Sequence, residues 1–189
     1  MEIKELNYSI EGLTPLLMHN PRAMMTMNEN GSGPKKQKSI PSAEDEAEMG
    51  AYRTADGILA FPAIGVRNAM ITAAGAFKHK TRSWKGFVTH IQIEPSDLLM
   101  LSNGKGPLTE YEIDVRRCVI KGRGAIVRAR PLIKKWHTSF SFIVDTSMLP
   151  TDDPHTLIKT FLLEAGSRIG IGDYRPEKTG WFGRFTVLD

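Results

Sequence analysis

The stretch Trp136-His137-Thr138-Ser139-Phe140-Ser141-Phe142-Ile143-Val144 sets Trp136, Thr138, Phe140, Phe142 and Val144 on one face and His137, Ser139 and Ser141 on the other. Alternation with a period of two is the mark of a strand with one buried face. Upstream, Glu112 to Ile120 and Ala125 to Leu132 flank Lys121-Gly122-Arg123-Gly124, which predicts a β-hairpin within residues 110–133. Downstream, Asp152 or Asp153 can cap a helix with Pro154 in its first turn. Leu157, Phe161, Leu162 and Ala165 give that helix its buried stripe, Gly166 is a plausible stop, and Trp181 to Leu188 reads as a last strand.

The N-terminal half supplies the matching elements. Ile3 to Leu17 carries apolar residues at Leu6, Tyr8, Ile10 and Leu16, compatible with one long or broken strand. Ile58 to Phe61 leads into Pro62 and a helix with Ile64, Ala69, Ile71, Ala73, Ala74 and Phe77 on its apolar face. Phe87 to Ile93 alternates like a strand. Between them, residues 21–55 mix Met, Asn, Gly, Pro and a Lys35-Lys36-Gln37-Lys38 cluster without a period, and are read as a long mobile loop. The skeleton is α+β: a ferredoxin-like or RRM-like β-α-β-β-α-β unit with an inserted basic hairpin and a long early loop, in one domain over residues 1–189. That fold hosts binders and enzymes alike, so function has to come from sites.

Composition narrows the classes. Of 189 residues 41% are hydrophobic and 24% charged, which excludes whole-chain disorder. Cys118 stands alone, so no internal disulfide and no multi-cysteine zinc site is expected. No signal-like or membrane-spanning segment is read, and a cytoplasmic location is the expectation. The net charge of +4 is mild, but its distribution is not even. From Val115 to Val144 there is no acid, while Arg116, Arg117, Lys121, Arg123, Arg128, Arg130, Lys134 and Lys135 fall there. Glu44, Asp45, Glu46 and Glu48 form an acidic run, read as a solvated face.

Residues 167–185 are the most specific segment. Gly170, Gly172, Gly180 and Gly183 lie between the second helix and the last strand, with Arg168, Arg175, Lys178 and Arg184 as cations and Tyr174 and Trp181 as stacking faces. A glycine-rich loop in that position, closing on Gly183-Arg184 next to aromatics, resembles the hallmark of the RAMP superfamily, the RNA-binding proteins of CRISPR effector complexes. Phe61-Pro62-Ala63-Ile64-Gly65-Val66-Arg67-Asn68 resembles the entry to the first helix of the backbone-type subunits, with Arg67 earlier than the family's basic residue. Gly12-Leu13-Thr14-Pro15-Leu16-Leu17-Met18-His19 resembles the end of their first strand. A CRISPR component and a stand-alone or phage-encoded relative both fit.

The resemblance implies binding of single-stranded RNA or DNA, RNA favoured, by a homo-oligomer along the strand or a subunit of a ribonucleoprotein complex. The hairpin would be the gripping "thumb". The site residues expected are Arg116, Arg117, Lys121, Arg123, Arg128 and Arg130 on the hairpin, Arg67 at the first helix, and Arg168, Gly170, Gly172, Tyr174, Arg175, Lys178 and Trp181 around the loop. Trp84 is a further stacking candidate, whereas Trp136 and Phe140 belong to the core. No cofactor and no metal are expected, since no motif for either is present. Two rivals stay open. One is a RAMP-type endoribonuclease, for which His19, Asp45 and Asp56 are the nearest catalytic candidates. The other is an interaction module whose basic hairpin docks on an acidic partner.

Overall fold

The computed structural model describes residues 1–21, 41–120 and 124–188. Lys121, Arg123 and residues 22–40 of the expected loop lie outside the described residues. In chain order the elements are β1 (Ile3–Gly12), β2 (Leu16–Leu17), α1 (Ala43–Gly50), β3 (Ala60–Pro62), α2 (Ala63–Ala74), β4 (Lys78–His79), β5 (Arg82–Ser83), α3 (Lys85–Val88), β6 (Gln92–Glu94) and β7 (Leu98–Met100). There follow β8 (Glu112–Ile120), β9 (Gly124–Ile133), β10 (His137–Asp145), α4 (Pro154–Glu164), a π-helical turn (Ala165–Ile169), a 3-10 turn (Pro176–Lys178) and β11 (Phe185–Val187).

The chain is mixed α+β with several small antiparallel sheets. The largest is four-stranded in the order β11-β1-β10-β6. β1 runs antiparallel to β10 from Ile3 opposite Asp145 to Glu11 opposite His137, and Phe142 of β10 pairs with Ile93 of β6. The alternation of β10 is realised: Thr138, Phe140, Phe142 and Val144 are buried. Phe140, Phe142 and Val144 share one core with Val66, Ala69, Met70 and Ala73 of α2 and Ile158, Phe161 and Leu162 of α4. Fully burying each of Phe142, Phe161 and Phe185 stabilises the fold by roughly 1.5–3 kcal/mol. Buried Trp136 keeps its indole N–H satisfied by donating to the Thr14 carbonyl at 2.9 Å.

The second sheet, β2-β9-β8, carries the predicted hairpin, with Arg116 opposite Arg128 and Cys118 opposite Ile126. Asp153 caps α4 by accepting from the Thr156 amide at 3.0 Å. The helix does not stop at Gly166. It runs on as the π-helical turn and ends at Gly170, whose φ is 69°.

Four further sequence expectations are corrected. Residues 43–50, inside the expected loop, form α1, capped by Ser42 accepting from the Asp45 amide. The stretch from Phe87 to Ile93 is strand only at its end: Trp84, Phe87 and Phe161 cluster their rings, and turning Trp84 and Phe87 inward requires the helical turn α3. Trp84 is thereby buried and offers no stacking face. Ile64 leaves the apolar face of its helix and is exposed. Among the described residues no helix is long and apolar enough to cross a membrane.

Candidate nucleic-acid interface

The glycine-rich loop is stitched to the segment after β1 by backbone bonds. The Asp173 amide donates to the Leu17 carbonyl at 2.9 Å and the Gly183 amide to Pro15 at 2.8 Å. Gly172, at φ 78°, lies against the Leu17 carbonyl, where a Cβ would come within 2.6 Å. A Cβ on Gly180 would sit 1.7 Å from the Tyr174 carbonyl. At both positions a side chain would force the backbone apart. The glycines therefore let the loop fold flat on itself and on residues 15–19.

Trp181 emerges from this frame. The Thr14 hydroxyl donates to the Trp181 carbonyl at 2.8 Å and accepts from the Arg184 amide at 2.9 Å, fixing the backbone on both sides. The indole itself is 64% exposed. Beneath it lies buried Phe182, ring centroids 5.8 Å apart, and the Arg116 guanidinium stacks on Phe182 at 4.7 Å. Hairpin and loop thus form one continuous surface, joined again where Arg130 meets Asp173 and Tyr174.

The hairpin cations are less available than the acid-free sequence implies. Arg116 pairs with Asp114 at 2.6 Å and Arg128 with Glu46 of α1 at 2.8 Å. Arg130 is buried, its Nε 3.0 Å from Asp173 Oδ2 and its Nη2 3.4 Å from the Cys118 sulfur. The Tyr174 hydroxyl donates to the same sulfur at 3.5 Å, and its half-buried ring packs against the Arg130 guanidinium. The acidic run is not merely a solvated face, because Glu46 accepts both from Arg128 and, at 3.1 Å, from the amide of Ala129 on β9. Glu48 is held by Arg53 and Tyr111, and burial, together with this carboxylate, pushes the pKa of the Tyr111 hydroxyl up to about 12.

Other expected site residues divide in the same way. Arg67 donates to the carbonyls of Ile91 and Thr89, tying α2 to the approach to β6. Arg168 pairs with Glu164 one turn back. Arg175 pairs with Glu177 at 2.6 Å and donates to the Gly172 carbonyl at 3.1 Å. Arg117, Lys178 and the Arg184 side chain are exposed and have no ion pair among the described residues.

Gly170, Gly172, Asp173 and Arg175 also line a cleft of about 400 Å³ against Asn68 and Thr72 of α2, with His19 at its wall. Residues from 12–19, 61–68 and 167–185 meet there. Burial, with Arg130 nearby, holds the His19 imidazole below its ordinary pKa of 6.5. Asp45, exposed on α1, and Asp56, exposed in the turn after Thr54, do not line this cleft and are not brought to His19. The acids that do line it, Asp173 and Glu177, are held by Arg130 and Arg175. Among the described residues no group of three or more His, Cys, Asp and Glu is placed to hold a metal ion. Sequence reading missed Thr14, whose role depends on a partner at the far end of the chain, and missed α1. The Ser42-Ala43-Glu44-Asp45 capping pattern was a usable signal for α1. No family model matches the chain, and no curated protein matches it either.

Proposed function

We propose that this chain binds single-stranded nucleic acid, RNA in preference to DNA, without cleaving it. The observation that carries the reading is Trp181: an exposed indole on a loop whose backbone Thr14 and the glycines hold fixed. Single-strand binders pair such stacking platforms with cations that follow the phosphates. Here the exposed cations Lys178 and Arg184 lie three residues before and after Trp181 in the chain. The four-stranded sheet supports reading the core as a ferredoxin-like unit. Its strands lie fourth, first, third, second in chain order, with α2 and α4 as the crossovers. A RAMP-type ancestry and assembly along the strand belong to the same proposal.

The test is equilibrium binding of labelled single-stranded RNA, single-stranded DNA and duplex of equal length at two salt concentrations, with the RNA recovered afterwards. Tighter, salt-dependent binding of the single strands, with RNA intact, is the expected result. No binding at low salt would refute the reading, and cleavage lost in His19→Ala would replace it with the ribonuclease alternative.

A second reading has its own observation. Ile113, Val115 and Val127 are exposed on the hairpin, whose arginines are largely paired within the chain. An exposed apolar strand pair of this kind suits a protein partner. Under that reading Val115→Lys would abolish an oligomer or complex and leave nucleic-acid affinity unchanged.

A further inference from the structure

We infer that the β4–β5 turn is a second phosphate-contacting surface, one that takes the backbone of single-stranded nucleic acid; this rests on the reading just given. Within eight residues, Lys78-His79-Lys80-Thr81-Arg82-Ser83-Trp84-Lys85, there are four cations, and all four are exposed. No Asp or Glu occurs from Ala76 to Ile93. None of Lys78, Lys80, Arg82 and Lys85 has an ion pair among the described residues. On the longer hairpin, by contrast, Arg116, Arg128 and Arg130 are each matched to a carboxylate, and of its described cations Arg117 alone has no ion pair.

The turn that carries the cations is anchored to the core at its base. β4 and β5 pair with Lys78 opposite Ser83 and His79 opposite Arg82, around a turn in which Lys80 takes φ 54°. His79 packs edge-on to Trp84 and Phe87, 5.5 and 6.1 Å between centroids, and Trp84 is buried against Phe161. The turn follows the C-terminus of α2, where one cation would offset a helix dipole equivalent to about half a charge. Four cations exceed that need.

The chemistry selects the partner. No large apolar side chain of this segment is exposed, so nothing here wedges into a lipid interface or forms the dry centre of a protein contact. Point charges on an anchored turn, without an exposed aromatic or apolar side chain beside them, suit a linear polyanion gripped through its phosphates and not its bases.

The test compares two charge-matched variants, Arg82→Gln/Lys85→Gln and Lys4→Gln/Lys105→Gln, with the unmodified protein on a single-stranded RNA 20-mer over a range of salt. Thermal melting confirms that each is folded. Each phosphate contact on a single strand contributes about 0.7 to the log–log salt slope, so the first variant should lose roughly 1.4 and the second nothing. Binding by the unmodified protein with equal slopes in both variants would overturn the β4–β5 assignment alone. Absence of binding by the unmodified protein would overturn the single-strand reading and this inference with it. Should Arg82→Gln/Lys85→Gln lose affinity for phosphatidylserine vesicles but keep its RNA slope, the surface would be a membrane contact, and the nucleic-acid assignment would fail.

Discussion

Arg130 of β9 and Asp173 of the glycine-rich loop face each other at 3.0 Å, and this pair joins the hairpin to the loop. The arginine side chain is nearly buried, between the Tyr174 ring and the Cys118 sulfur, while the carboxylate is about one-third exposed. Removing the guanidinium leaves a half-buried carboxylate without its partner and opens space beside Tyr174. Arg130→Ala should therefore cost stability, about 1–3 kcal/mol after allowing for the exposure of Asp173. Urea unfolding checks this. An Arg130→Ala protein as stable as the unmodified one, but weaker on RNA, would return Arg130 to the phosphate-binding role that its sequence context suggests.

Glu46 and Arg128 form a second tie, and their two truncations should differ. Arg128→Ala breaks an ion pair whose two side chains are only 22% and 14% exposed, at a cost of about 1–3 kcal/mol. Glu46→Ala also strips the Ala129 amide of its acceptor, and an unsatisfied backbone donor costs about 1–3 kcal/mol. The larger loss is expected for Glu46→Ala in the same unfolding assay. Equal losses would mean that α1 does not protect the open edge of β9.

These pairs mark how far the sequence could be read. The strands β8, β9 and β10 and the helix α4 were legible because alternation, a turn rich in glycine and an N-cap are local signals. The acid-free run from Val115 was misleading for the opposite reason. Arg116 is neutralised by Asp114, which lies on its own strand just outside that run, whereas Glu46 and Asp173 arrive from α1 and from the loop after α4, and no spacing along the chain announces those two. The strand read at Phe87 to Ile93 failed because its alternation served an aromatic cluster with Trp84 and Phe161. In the loop, the glycines were legible as a group, but the close approaches of Gly172 to Leu17 and of Gly180 to Tyr174 depend on the fold.

His19 gives a pH signature. Burial and Arg130 disfavour its cation, with Arg128 adding to them, while Asp173 and Glu46 act in the other direction. The folded pKa lies below 6.5, so the unfolded chain takes up the proton first as pH falls. The stability tied to neutral His19 is complete above about pH 6.5 and declines as pH drops from there toward the folded pKa. Unfolding free energies measured across that window should fall less steeply with acid in His19→Gln than in the unmodified protein. Identical slopes would mean that His19 is as well solvated folded as unfolded.

The sharpest separation of scaffold from surface is at Trp181. Its indole is largely exposed and its backbone is fixed by Thr14, so Trp181→Ala removes little buried area and no backbone hydrogen bond. Melting should shift little, as for most exposed substitutions. Binding should respond strongly, because a stacked base contributes about 1–3 kcal/mol, or roughly 5- to 150-fold in Kd. The salt slope should stay constant, since an indole displaces no counterions, whereas Lys178→Ala should lower the slope by about 0.7 with melting unchanged. Arg175→Ala provides the contrast: it breaks a pair with Glu177 and a bond to the Gly172 carbonyl, so its loss should register in melting first. Full affinity in Trp181→Ala, with both other variants behaving as expected, would mean that the loop contacts phosphates only and that no base stacks on it.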